Sequence, residues 1–206
     1  MKKQTMKEDS SVNPIKQKWN LIYQKMQDEV SVIPAAVLTE HDFLLPNSGQ
    51  ALDLACGLGA NACYLAERGL QVTAWDISDV AISRLRQIAQ RKALPIKAEV
   101  NEITLKSFQE CSFDVIIIAR FLDRTLSDGI MSALKPGGLL FYQTFNKEKI
   151  NEDGPNNPDF LLAENEPLSL FAPLRLVFYQ ENGKIGKLSA GFRNETQFIG
   201  QKRVND

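Results

Sequence analysis

The chain has 206 residues, 44% of them hydrophobic and 24% charged, with 24 basic against 25 acidic side chains and a net charge of −1. That length and composition fit one soluble globular domain with a sizeable core and argue against long disorder or a fibrous repeat. Near-zero net charge leaves no basic footprint for nucleic acid or anionic membrane. No apolar run approaches the roughly 20 residues of a spanning helix, and the polar stretch after Met1-Lys2-Lys3 has no apolar signal-peptide core. These features predict a cytoplasmic protein, with neither membrane nor nucleic acid as a partner. Cys56, Cys63 and Cys111 are an odd set without metal-ligand spacing and suit a reducing compartment. The single histidine, His41, makes zinc sites and Ser-His-Asp hydrolysis poor readings.

Residues 1–13 are polar and aperiodic and are expected to form a flexible tail, followed by one domain over 14–206. Within it, 14–46 is expected to be helical, 47–145 an alternating core, and 146–206 a loop with C-terminal strands. From Pro14, the residues Trp19, Ile22, Tyr23 and Met26 recur on one helical face. A second helix is expected between Pro34 and Pro46, with Val37, Leu38 and Leu45 inward. Strand then alternates with helix: a strand over 51–55, a glycine turn, a helix over 60–68, a strand over 70–75, and an amphipathic helix from Asp79 to Lys92. Strands follow over 95–100 and, as an unbroken apolar run, over 113–119. A helix over about 125–134 leads through Pro136-Gly137-Gly138 to a strand over 139–145. This alternation predicts an α/β fold with a parallel sheet and right-handed crossovers. After Phe145 come a long polar loop containing Gly154-Pro155-Asn156-Asn157-Pro158, a helix over 161–171 interrupted by Pro167, and two strands, 174–180 and 196–202, able to pair antiparallel.

Chemistry concentrates in Leu52-Asp53-Leu54-Ala55-Cys56-Gly57-Leu58-Gly59-Ala60-Asn61-Ala62. Glycines at a strand-to-helix turn let a ligand approach the backbone, although a tight turn alone also selects them. Gly57 to Ala62 fits G-x-G-x-x-A, and Asp76 ends the next strand 19 positions on, the reach of a ribose-binding carboxylate. An adenosine-containing ligand is therefore expected. Asp53 lies inside an apolar strand, where a carboxylate is costly unless satisfied. Backbone N–H groups or a ligand ammonium would satisfy it, whereas the pyrophosphate of a nicotinamide cofactor would gain nothing from it.

The ordered set of these motifs, continued by Trp75-Asp76-Ile77-Ser78, Phe113-Asp114-Val115-Ile116 and Leu134-Lys135-Pro136-Gly137-Gly138-Leu139, resembles the class I S-adenosylmethionine (AdoMet)-dependent methyltransferases. Within them, the stretches at 59–62 and 74–78 look most like the small tellurite-resistance-type enzymes. The resemblance implies a Rossmann-like, doubly wound, seven-stranded, mostly parallel sheet whose last two strands are the antiparallel pair. It implies AdoMet as cofactor, bound by Asp53, Gly57, Gly59, Asn61, Asp76, Ile77, Asn101, Glu102, Ala119 and Arg120. Asp53 would orient the amino group, Asp76 the ribose and Ile77 the adenine. Asn101 stands where Asp is common, so either Asn101 or Glu102 would meet the adenine amine, while Ala119 and Arg120 would line the methionine side.

Methyl transfer from a sulfonium needs alignment and dryness more than a base, and a thiol or metalloid acceptor needs least help. Tyr23, Arg120 and Gln143 are the candidate catalytic residues. Tyr23 with Trp19 is either core packing or a lid with an aromatic face toward the sulfonium. Arg120 would hold the cofactor carboxylate or an anionic substrate; the alternative is a helix-start ion pair between Asp123 and a neighbouring Arg. Gln143, Thr144, Phe145 and Asn146 open the polar loop where substrate is expected, with Tyr142 a weaker candidate. His41 reads as a helix-end residue, Cys56 as a small buried side chain, and Arg193-Asn194-Glu195 as solvated charge near the site's rim. The leading expectation is methyl transfer from AdoMet to a small molecule. An NAD(P)-dependent oxidoreductase and a non-catalytic AdoMet-binding protein are the alternatives.

Overall fold

The computed structural model describes residues 13–26 and 33–204. All but Asn13 of the expected tail lies outside the described residues. Seven strands form one sheet in the order β3-β2-β1-β4-β5-β7-β6. They are β1 (Gly49–Leu54), β2 (Leu70–Asp76), β3 (Ile96–Val100), β4 (Phe113–Ala119), β5 (Leu134–Phe145), β6 (Arg175–Gln180) and β7 (Glu195–Gln201). Strands β1 to β5 pair parallel, while β7 runs antiparallel to both β5 and β6. The expected seven-stranded α/β sheet with its antiparallel end is what forms.

Two apolar layers explain why. Alternate strand residues Ala51, Val115, Ile117, Phe141 and Ile199 pack under α2 (Ala36–Thr39), α3 (Ala60–Glu67) and α4 (Asp79–Lys92). The other parity, with Leu52, Ile116, Ile118, Leu140 and Phe198, packs against α5 (Ser127–Ala133) and Phe171 after α6 (Glu166–Leu170). A sheet covered on both faces explains the unbroken apolar reading of β4.

Three boundaries depart from expectation. The expected helix before Pro46 is only the single turn α2 and a 3-10 turn at Asp42–Leu44; Val37 and Leu38 are fully buried and Leu45 partly so. Strand β5 begins at Leu134 and runs through Pro136-Gly137-Gly138, because Gly137 takes φ +81° and the register shifts between Phe113 and Val115. The helix expected over 161–171 is only α6, since Pro167 sits in its first turn, where a missing N–H costs nothing. The first helix, α1 (Pro14–Lys25), has no buried residue. It is not a core helix.

Candidate functional site

The C-terminal ends of β1, β2 and β4 converge where strand order reverses, the place where open α/β sheets hold ligands. Two non-glycine residues take left-handed backbone there, Ala55 after β1 (φ +57°) and Arg120 after β4 (φ +55°). Such conformations cost energy and gather at functional sites.

Asp53 is buried on β1 with 1% exposure. Its Oδ2 accepts from the Ala62 N–H at 2.9 Å, while Oδ1 has no hydrogen-bond partner. Burial pushes its pKa up to about 7, against the Ala62 N–H and the nearby Asn61 amide. The turn above it runs through Gly57 (φ +53°) and Gly59 (φ +81°). A Cβ on Gly57 would come within 2.8 Å of the Tyr23 hydroxyl, and one on Gly59 would strike Leu85 of α4 at 2.3 Å. The absent side chain of Gly59 thus makes room for helix packing rather than for a ligand.

Asp76, at the end of β2, accepts from the Gly57 N–H through Oδ2 (2.9 Å) and from the Ser78 N–H through Oδ1 (2.8 Å). Burial raises its pKa, and those N–H groups oppose the rise. It braces the glycine turn from the next strand, and each oxygen keeps a lone pair. Ile77 beside it is half-buried. Asn101 and Glu102 follow β3: Asn101 Oδ1 accepts from the Ser107 hydroxyl (3.3 Å) and Glu102 Oε1 from the Asn13 amide (2.9 Å). Asn61 Oδ1 accepts from the Ala35 N–H at 2.8 Å, tying the segment before α2 to the start of α3.

Helix α1 lies against this rim. Its Asn20 Oδ1 accepts from the Ser78 hydroxyl at 2.6 Å, and Lys16 pairs with Asp79 at 2.9 Å. Trp19 and Tyr23 stack with ring centroids 5.8 Å apart. Trp19 stays 38% exposed. Burial, with Asp76 and Cys56 nearby, raises the Tyr23 hydroxyl pKa well above its ordinary value.

Beyond β4 the site changes character. The Arg120 N–H donates to the Gln143 carbonyl at 2.7 Å, and its Nε donates to Glu195 Oε1 at 2.9 Å. Gln143 Nε2 donates to the other Glu195 oxygen, and its Oε1 accepts from the Val37 N–H at 2.8 Å. Glu195, read from sequence as solvated charge, is buried, because Arg120 and Gln143 meet both of its oxygens. A pairing across 75 residues leaves no local signal in the sequence. Phe145 lies beside the Arg120 guanidinium, 5.9 Å from its ring centroid. Thr144 and Asn146 are buried on the opposite parity; Asn146 Nδ2 donates to the Thr196 hydroxyl at 3.3 Å. Tyr142 is also buried, donating to the Phe121 carbonyl at 3.1 Å.

Elsewhere, His41 packs its ring 4.1 Å from that of Phe178, far along the sheet toward the β6 edge. Cys56 is buried beside Gly57, and its thiol is pushed up by burial. Among the described residues, no His, Cys, Asp and Glu group is arranged to hold a metal, and no helix is long and apolar enough to cross a membrane.

Comparison with known proteins agrees with this geometry. Residues 51–138 match the methyltransferase domain family. The chain is 31% identical over 105 residues to a "Ubiquinone biosynthesis O-methyltransferase" of Idiomarina loihiensis, covering 48% of this chain and 43% of that protein. It is 29% identical over 142 residues to the "Probable S-adenosyl-L-methionine-dependent methyltransferase TehB" of Haemophilus influenzae, covering 65% and 48%. The chain thus spans less than half the length of these relatives. The crystal structure of TehB from Haemophilus influenzae superposes with a TM-score of 0.67 at 22% identity, over 90% of this chain and 67% of that one.

Proposed function

We propose that the chain is a class I AdoMet-dependent methyltransferase of the TehB-like kind that transfers a methyl group from AdoMet to a small-molecule acceptor; the methyltransferase-domain match over residues 51–138 and the seven-stranded fold support this reading. The observation that carries the reading is Asp53: a buried carboxylate under the glycine turn with one oxygen unpartnered. A buried acceptor atom in that state has a place for a donor, and the cofactor's ammonium is a charged one. Neither a tight turn nor a pyrophosphate would call for it.

Bound AdoMet supplies a methyl already activated on a sulfonium. This chain's residues bind and orient it. Asp53 would hold the amino group, with Asn61 beside it, and the Gly57–Gly59 backbone would lie along the methionine end. Asp76 would accept from the ribose hydroxyls through its spare lone pairs, Ile77 would pack on adenine, and Asn101 or Glu102 would meet the adenine amine. Ala119 would border the methionine side. Tyr23, set over Gly57 by α1, would shield the reacting centre from water.

The acceptor end favours a nucleophile that needs no base. Tyr23 holds its proton more tightly than free tyrosine, and both amide ends of Gln143 and both oxygens of Glu195 are engaged. A thiolate or a metalloid oxyanion arrives with its lone pair available; an alcohol does not. The three free cysteines suit the reducing cytoplasm as the place of work. Calorimetry with AdoMet, S-adenosylhomocysteine and NADH tests the cofactor. Micromolar binding of both adenosyl ligands and none of NADH is expected; binding of NADH alone would replace this reading by an oxidoreductase. Release of S-adenosylhomocysteine with a thiol panel then tests turnover, and its absence with every acceptor class would leave a non-catalytic binder.

A further inference from the structure

Resting on the cofactor reading above, we propose that Arg120 is a carboxylate anchor for the methyl acceptor, held in place by Glu195, and that of the acceptors favoured there the one taken is therefore a small organic acid bearing the thiolate rather than a metalloid oxyanion.

The argument starts from direction. The glycine turn lies after β1, on one side of β4, whereas Glu195 begins β7, two strands away on the other side. At about 4.8 Å per strand, the partner that holds the guanidinium is about 10 Å from β4 and farther still from the turn. Left-handed backbone at Arg120 and the N–H bond to Gln143 aim its side chain over β5, beside the Phe145 ring. Arg120 thus sits in the half of the crevice past the cofactor turn.

Donor counting then gives the ligand. Only Nε of Arg120 is used, by Glu195; among the described residues neither terminal nitrogen has a partner. Both Glu195 oxygens are spent, one on Arg120 and one on Gln143. What this arrangement still offers is a row of N–H donors on the terminal edge of a planar fork, the shape that takes a carboxylate bidentately. Its side chain is 65% exposed while that of Glu195 is 8% exposed, so the fork opens to solvent from a buried base. An exposed structural ion pair would need neither a strained backbone nor a buried, doubly bonded carboxylate.

A carboxylate at this position has two sources, the acceptor or the cofactor's own α-carboxylate, and the experiment separates them. The full chain is saturated with S-adenosylhomocysteine, and trifluoroacetate is observed by ¹⁹F relaxation in the wild type, in Arg120→Gln and in Arg120→Gln/Glu195→Gln, which leaves no unpaired buried charge. Expected is line broadening in the wild type, reversed by acetate but not by acetamide, and at least threefold weaker in both variants, with S-adenosylhomocysteine affinity changed less than twofold. Equal broadening in all three proteins, or none in the wild type, would overturn the anchor. A tenfold loss of S-adenosylhomocysteine affinity in the variants would assign the guanidinium to the cofactor and overturn the acceptor assignment. Failure of the wild type to bind S-adenosylhomocysteine would sink the cofactor reading instead, and the trifluoroacetate comparison on the unliganded chain would still decide the anchor.

Discussion

Asp53 carries two opposite demands. Without a ligand its ionised form is buried with one oxygen unpartnered, so its pKa stands at about 7, above the roughly 4 of an unfolded Asp. The folded chain therefore binds the extra proton between these values. Stability falls as pH rises from about 4 to 7 and levels off above. Asp76 is shifted the same way, so the comparison that isolates Asp53 is with Asp53→Asn, whose amide can still accept from Ala62. The variant is expected to melt higher than wild type at pH 8 and to show a flatter pH dependence. It is expected to bind S-adenosylhomocysteine about tenfold more weakly or worse, since a charge-assisted hydrogen bond is worth about 1.5–3 kcal/mol. Melting curves across pH 4–8 with calorimetry at pH 8 check both signs. Equal pH slopes would mean that Asp53 keeps its ordinary pKa. At this scale Asp53 and Asp76 were legible in the sequence, because a carboxylate inside or ending an apolar strand is conspicuous. Glu195 was not, because what buries it is Arg120 and Gln143, distant in sequence.

Among the elements, local signals decided what could be read. Helix α4 has the expected bounds because the chain marks both: the Ser78 hydroxyl caps the Ala81 N–H, and Ala93 turns left-handed after the last turn. Strand β5 was foreshortened in the sequence, since Pro136-Gly137-Gly138 reads as a turn, and only pairing with β4 and β7 keeps it extended. Helix α1 shows an apolar spacing but has no fully buried residue; among the described residues its ties include polar contacts with Ser78, Asp79, Val80 and Glu102 and the Tyr23 hydroxyl over Gly57. An element so attached belongs to the least stable part of the molecule. Its partners adjoin the residues proposed for the cofactor: Ser78 and Asp79 follow Asp76 and Ile77, and Glu102 is one of the two adenine candidates. Hydrogen exchange is therefore expected to be fast over Trp19–Lys25 in the free chain and at least tenfold slower with S-adenosylhomocysteine, with α4 barely altered. Equal exchange in both states would remove α1 from the cofactor site.

Over the whole molecule, the last strand is also an interior one. β7 lies between β5 and β6, joined to β5 along its length from Leu139↔Gln201 to Phe145↔Glu195 and to β6 from Arg175↔Gln201 to Gln180↔Gln197. It supplies Phe198 to one apolar layer and Ile199 to the other, both buried, and Glu195 to the cluster with Arg120 and Gln143. Such distant pairings form late, after the loop-closure cost has been met. A chain ending at residue 194 would leave β5 with an unpaired edge, β6 with no neighbour and the Arg120 guanidinium with no carboxylate. A lone strand is not stable in water, and an exposed apolar edge invites association. The truncated chain is thus expected to lose cooperative thermal unfolding followed by circular dichroism and to aggregate at micromolar concentration, although β1 to β4 and the whole glycine turn are intact in its sequence. A sharp, reversible transition in that chain would mean that the parallel half folds on its own, and that the acceptor side is an addition to a self-sufficient cofactor half.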